Sequence, residues 1–192
     1  ETYRAGLRIG VGDALAATDF DTVTSPYHSK NLMRFVATVN GAEVTVDYLP
    51  VGDDVVAAFV EADPETRVTV RADYTRLVAA DHGWGESGLV GRVERDMIVL
   101  QGFEDGDAFV LEAYGDDRRT TVTADEKGGA SHVRERAVTV LGRSGDQVEL
   151  SGQVTTYGPG LVLLARGRTV DEAIGRLTAA RRTATTTRAA AY

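Results

Sequence analysis

The side chains able to do chemistry in this chain are few and scattered. Its three histidines, His28, His82 and His132, stand far apart, and none has a second histidine at ligand spacing. There is no cysteine, which excludes disulfides and thiolate metal sites. No metal site and no cofactor is therefore expected. The sequence contains no G-x-S-x-G elbow, no P-loop, no H-E-x-x-H and no G-x-G-x-x-G. The acidic pairs Asp53-Asp54 and Asp116-Asp117 sit at turn-like positions, where Asp bonds local backbone and tolerates positive φ. They read as turn formers rather than as a general acid and base, and no catalytic residue is assigned.

Two stretches have binding character. "SPYHSKNLMRF" gathers Tyr27, His28 and Lys30 just before a strand, and holds one of only two lysines. It reads either as a polar loop at the rim of a cleft or as a strand-entry loop that satisfies backbone groups. "DHGWGESG" carries the only tryptophan, Trp84, between two glycines and beside His82 and Glu86. An aromatic ring on a glycine loop can stack on the apolar face of a pyranose, or it can tuck onto a sheet edge. Trp84, His82, Tyr27, His28 and Lys30 are thus the candidate carbohydrate contacts.

The elements that must position them are mostly strands. In "TRVTVRADYTRL", Val68, Val70, Ala72 and Tyr74 alternate with Arg67, Thr69, Arg71 and Asp73, the pattern of a half-buried antiparallel strand. "DQVELSGQVTT" repeats it. "LMRFVATVNGAEVTVDYL" is a hairpin closed by Asn40-Gly41, both of which accept the positive φ of a tight turn. Seven further segments follow: "DVVAAFVEA", "LVGRVER", "DMIVLQG", "AFVLEAYG", "RRTTVTA", "AVTVLGR" and "GLVLLARG". About ten or eleven strands with turn-like breaks predict a mainly β fold, a two-sheet antiparallel sandwich of supersandwich type. One helix is predicted, starting near Val170. Thr169 caps it, Glu172 completes a capping box, and Asp171 and Glu172 suit its positive end. The expected organisation is a sandwich over 1–168 and a helix over 169–192.

Composition narrows the partners. With 43% hydrophobic and 26% charged residues, the 192-residue chain suits one globular domain with a substantial core, or at most two small ones. A net charge of −8 disfavours nucleic acid, which needs a basic surface. No apolar run approaches the roughly 20 residues of a membrane span. The opening has no signal-peptide shape and no initiator Met, as in a processed N-terminus or a fragment; location is left open, with the cytoplasm favoured. Lys30 and Lys127 are the only lysines. Acid excess with so little lysine points to a halophilic, archaeal source, because carboxylates hold hydration where salt screens their repulsion; a GC-rich genome, which also replaces Lys with Arg, is the alternative.

The tail "GLVLLARGRTVDEAIGRLTAARRTATTTRAAAY" is the most informative segment. Ile174 and Leu177 mark a helical face continued only by Ala180, Arg181 and Ala184, too thin to stabilise the helix alone. A neighbour is required, none is evident in the chain, and residues Arg181 to Tyr192 are expected to be the least well held. This tail resembles the junction in glucoamylase- and glucodextranase-type glycoside hydrolases. There an N-terminal β-sandwich ends on an apolar strand and a linker helix leads into a barrel of paired helices. The matching parts are Leu161–Ala165, Val170–Ala173, the Ala/Arg/Thr run and Tyr192, and "RIGVGDA" is loosely similar to the opening of the same sandwiches. The resemblance implies a non-catalytic domain of a parent enzyme acting on α-glucan-type carbohydrate, with the downstream catalytic domain as partner. The inverting carboxylates, roughly 6.5–9.5 Å apart, would lie on that barrel. A free-standing carbohydrate-binding or adhesion sandwich is the alternative.

Overall fold

The computed structural model describes residues 3–29, 31–77, 90–94, 97–101, 107–114, 136–144 and 147–192. They form twelve strands and one long helix: β1 (Tyr3–Val11), β2 (Thr22–His28), β3 (Met33–Val39), β4 (Ala42–Pro50), β5 (Val55–Ala62), β6 (Arg67–Leu77), β7 (Val90–Glu94), β8 (Met97–Gln101), β9 (Ala108–Tyr114), β10 (Arg136–Ser144), β11 (Gln147–Tyr157), β12 (Gly160–Gly167) and α1 (Val170–Ala191). All strand pairings are antiparallel. A four-stranded sheet, β1-β6-β11-β10, faces an eight-stranded sheet, β2-β3-β4-β5-β12-β9-β8-β7. The mainly β, two-sheet sandwich with one C-terminal helix is therefore the fold. Of the expected strands, "RRTTVTA" lies outside the described residues, and β1 and β2 were not foreseen.

Alternation dictates the first core. Val44 and Val46 on β4, Val68, Val70 and Ala72 on β6, Ile98, Leu100 and Leu111, and Val162 and Leu164 meet between the sheets. The Asn40-Gly41 turn has φ values of 51° and 79°, which keeps β3 and β4 in register from Val39↔Ala42 to Met33↔Tyr48. At one end of the sandwich the large sheet overhangs β1. There Leu7, Ile9, Phe20, Val23, Phe35 and Tyr48 help line an apolar cleft of about 400 Å³. Burial pushes the Tyr48 phenol up to about 12, offset in part by a hydrogen bond from the Ile9 backbone, so it stays neutral.

A second core lies on the opposite face of the large sheet, under α1. Leu49, Ala57, Val99, Val110, Leu163 and Ala165 from the sheet meet Ala173, Leu177, Ala180 and Ala184 from the helix. The neighbour that the helix needs is thus within the chain. The stripe looks thin because three of its four fully buried positions are alanines, which let the helix backbone approach the sheet closely. Thr169 Oγ1 accepts from the Glu172 amide at 3.2 Å, while the Glu172 carboxylate reaches back to the Arg168 amide at 2.8 Å. Gly167 makes this entry possible: a Cβ there would lie 2.5 Å from the Ala173 nitrogen. Asp54, in the acidic turn, has φ 55° and accepts from Arg176 at 2.7 Å, so this turn also clamps the first half of the helix.

Candidate functional site

The register of the large sheet sets up one transverse row on the helix-covered face. Tyr27 on β2 pairs with Arg34 on β3, Arg34 with Asp47 on β4, and Asp47 with Phe59 on β5. The row continues through Leu161 on β12 to Tyr114 on β9. Helix α1 runs above it. The Arg181 guanidinium lies 4.4 Å from the centroid of Tyr114, and that of Arg188 lies 4.8 Å from Phe59. Seven residues of helix rise about 10 Å, and β9 to β5 spans two inter-strand spacings, also about 10 Å. The match lets Arg181 and Arg188 land on successive aromatic rings of the row.

Asp47 is the hub. Its side chain is fully buried. Arg34 grips it in a fork, Nε to Oδ1 at 2.7 Å and Nη2 to Oδ2 at 2.8 Å. Arg188 donates its Nε to Oδ2 at 2.9 Å, and the Tyr192 hydroxyl donates to Oδ2 at 2.6 Å. Arg188 also bonds Glu61, and Arg34 bonds the Tyr192 hydroxyl. Burial alone would raise the Asp47 pKa, but the hydrogen bonds from Arg34, Tyr192 and Arg188 outweigh it. They hold the carboxyl well below the usual carboxylate range. Tyr192 moves the other way: its partial burial, then its bond to Asp47, raise the phenol and keep it a donor. The most enclosed carboxylate described is thus locked in its ionised form, unsuited to giving up a proton as a general acid.

Beside the hub is an aromatic surface. Tyr27 and Tyr192 stack with ring centroids 6.1 Å apart and planes at 29°. The Arg34 guanidinium lies 5.1 Å from the Tyr192 centroid. Tyr27 is 39% exposed and Tyr192 60% exposed.

Of the five residues singled out from the sequence, Trp84, His82 and Lys30 lie outside the described residues. Tyr27 and His28 are not in a loop; they end strand β2, paired with Arg34 and Met33. The strand was hidden because it is an exposed edge, kinked by a register shift between Thr24 and Tyr27 around Ser25-Pro26, with no apolar alternation. The pairing puts Tyr27 in the helix-covered row and turns His28 to the other face. Arg34, Asp47, Arg188 and Tyr192 were not foreseen as a group. Among the described residues no cluster of three or more potential ligands suits a metal, and no helix is long and apolar enough to cross a membrane.

Fold and site together define a β-sandwich with a helix clamped across its larger sheet. No family model matches this sequence, and no curated protein matches it. Among solved structures, a bacterial glucoamylase complexed with acarbose is similar at 11% identity and a TM-score of 0.48, over 90% of this chain and 28% of its own. Heparinase III is similar at 9% identity and a TM-score of 0.49, over 86% of this chain and 24% of its own. A putative kojibiose phosphorylase from human microbiome shares 11% identity with a TM-score of 0.38, over 94% of this chain and 24% of its own. The chain spans about a quarter of the length of these proteins. At these values no residue role is transferred from them.

Proposed function

We propose that this chain is a non-catalytic β-sandwich domain of a glycoside hydrolase acting on α-glucan-type carbohydrate, and that it supports a catalytic barrel that follows it. The observation behind this reading is the strand-to-helix junction. The apolar strand β12 passes through Gly167 and the Thr169 cap into a helix held at its start by Asp54 and at its end by Asp47. A helix fixed at both ends would set the position of whatever follows it, as the resemblance of the tail to sandwich–barrel junctions requires. The ionised, fully bonded Asp47 fits a structural role better than a catalytic one.

The test is to express the longest reading frame containing this chain and measure glucose release from maltooligosaccharides. Activity in the longer protein and none in the 192-residue chain is expected. Hydrolysis by the 192-residue chain, lost on changing one of its own carboxylates, sinks the reading. A second reading, a free-standing carbohydrate-binding module, draws support from the docking of α1 onto its own sheet, which gives the helix a purpose without a barrel.

A further inference from the structure

We infer that Tyr27 and Tyr192 form a binding shelf for a neutral oligosaccharide. The choice of an α-glucan as the sugar rests on the reading above; the shelf itself rests on geometry. Exposed rings on a protein surface are common, but these two are held in place. The Tyr192 hydroxyl is bonded to Asp47 at 2.6 Å, and Arg34 sits against its ring. Tyr27 stands on the adjacent strand, in register with Arg34, and stacks on Tyr192. A ring whose orientation is fixed before binding loses little entropy on meeting a ligand, and the apolar C–H face of a pyranose packs on such a ring.

Charge selects the ligand class. Two arginines, Arg34 and Arg188, are matched by two carboxylates, Asp47 and Glu61. The patch is therefore balanced and offers no excess of positive charge to a phosphate or a sulfated sugar. What it does offer beside the rings is planar polar groups. The Glu61 side chain is 55% exposed and that of Arg34 is 29% exposed. Such groups can bond neighbouring hydroxyls of a neutral sugar.

Calorimetry and tyrosine-ring NMR on the 192-residue protein, titrated with maltoheptaose and separately with heparin oligosaccharides, test the inference. Maltoheptaose should shift the Tyr27 and Tyr192 ring signals and bind more tightly than heparin. Tyr192→Ala and Tyr27→Ala should each weaken binding by roughly tenfold or more, while Tyr157→Ala, on the small sheet, leaves it unchanged. Because Tyr192→Ala also loosens the helix end, Tyr27→Trp serves as a second variant: a larger ring at an edge-strand position should hold or tighten binding. Ring signals that stay still through the titration overturn the shelf. So does maltoheptaose binding that Tyr27→Ala leaves intact, or a preference for heparin. Its failure leaves the domain reading to be judged by the longer protein's activity, and an inactive longer protein sinks the domain reading without touching the shelf.

Discussion

Replacing Asp47 by asparagine probes what holds the helix end. The substitution keeps the shape but removes the charge from a fully buried site that binds two guanidinium groups and a phenol. Breaking one partner of a buried ion pair costs about 3–5 kcal/mol. The side chains of Arg34 and Arg188 are 29% and 21% exposed, so water can reach them in part once the carboxylate is gone. The expected loss therefore falls to about 2–3 kcal/mol. For a chain of this size that is a drop in Tm of about 4–12 °C. Urea unfolding measures the free energy, and hydrogen exchange shows where it acts: amides from Arg181 to Tyr192 should open locally in the variant and be protected in the parent protein.

The pH dependence fixes the sign. The folded-state pKa of Asp47 is depressed, so its contribution is present above the ordinary carboxylate value and is lost as pH falls toward the folded-state value. The gap between parent and Asp47→Asn should stay flat from pH 5 to 8 and begin to close below about pH 4. A stability loss under about 0.5 kcal/mol, which is the scale of an ordinary surface change, together with unchanged exchange at the helix end, refutes the hub. Fast exchange from Arg181 to Tyr192 in the parent protein restores the loosely held tail that the sequence suggests.

Other outcomes follow from the packing. Leu177→Ala, at a side chain only 1% exposed, should cost about 2–5 kcal/mol in urea unfolding. Ala184→Leu should also destabilise, by about 1–3 kcal/mol, because the helix lies too close to the sheet for a larger group. Gly167→Ala should lower Tm, since the new Cβ meets the backbone of Ala173 and one of the two must move. If the acid excess reflects a halophilic source, Tm should rise from 0.1 M to 2 M NaCl, as the Debye length shrinks from about 10 Å at 0.1 M to about 3 Å at 1 M; an unchanged or lower Tm removes that idea.

Much of the sandwich was legible because alternation is a local signal. In β6, Val68, Val70 and Ala72 face the inter-sheet core while Arg67 and Arg71 stay partly exposed, as their order along the chain predicts. Strand β1 does alternate, with Tyr3, Ala5, Leu7, Ile9 and Val11 against Arg4, Gly6, Arg8 and Gly10, but two glycines on its other face weaken the strand signal; β2 escaped because an exposed edge with a Pro kink has nothing to alternate. The hub escaped for a different reason. Asp47 alternates with Val46 and Tyr48 like any solvent-facing residue. Its partners Arg34, Arg188 and Tyr192 lie 13, 141 and 145 positions away. No local pattern marks a polar residue that the chain's own last turn will cover.

Yet the sequence does carry a signal for that cover. Strands with one wet face alternate, whereas strands buried on both faces read as continuous apolar runs. "VVAAFV" in β5, "MIVL" in β8, "AFVL" in β9 and "LVLLA" in β12 are such runs, and apart from Val56 and Ala108 their alternate residues divide between the two cores. All four are consecutive neighbours in the large sheet, in the order β5-β12-β9-β8. A sheet that needs a second cover at its centre, in a chain with one long helix, has one candidate for the task. The alanine stripe of α1 and the double-faced strands are therefore two halves of one instruction, and the polar hub sits where that cover ends: on β4, the next strand outward, Leu49 still joins the apolar core, while the next outer-face position is the buried Asp47, which the helix answers with Arg188 in place of another alanine.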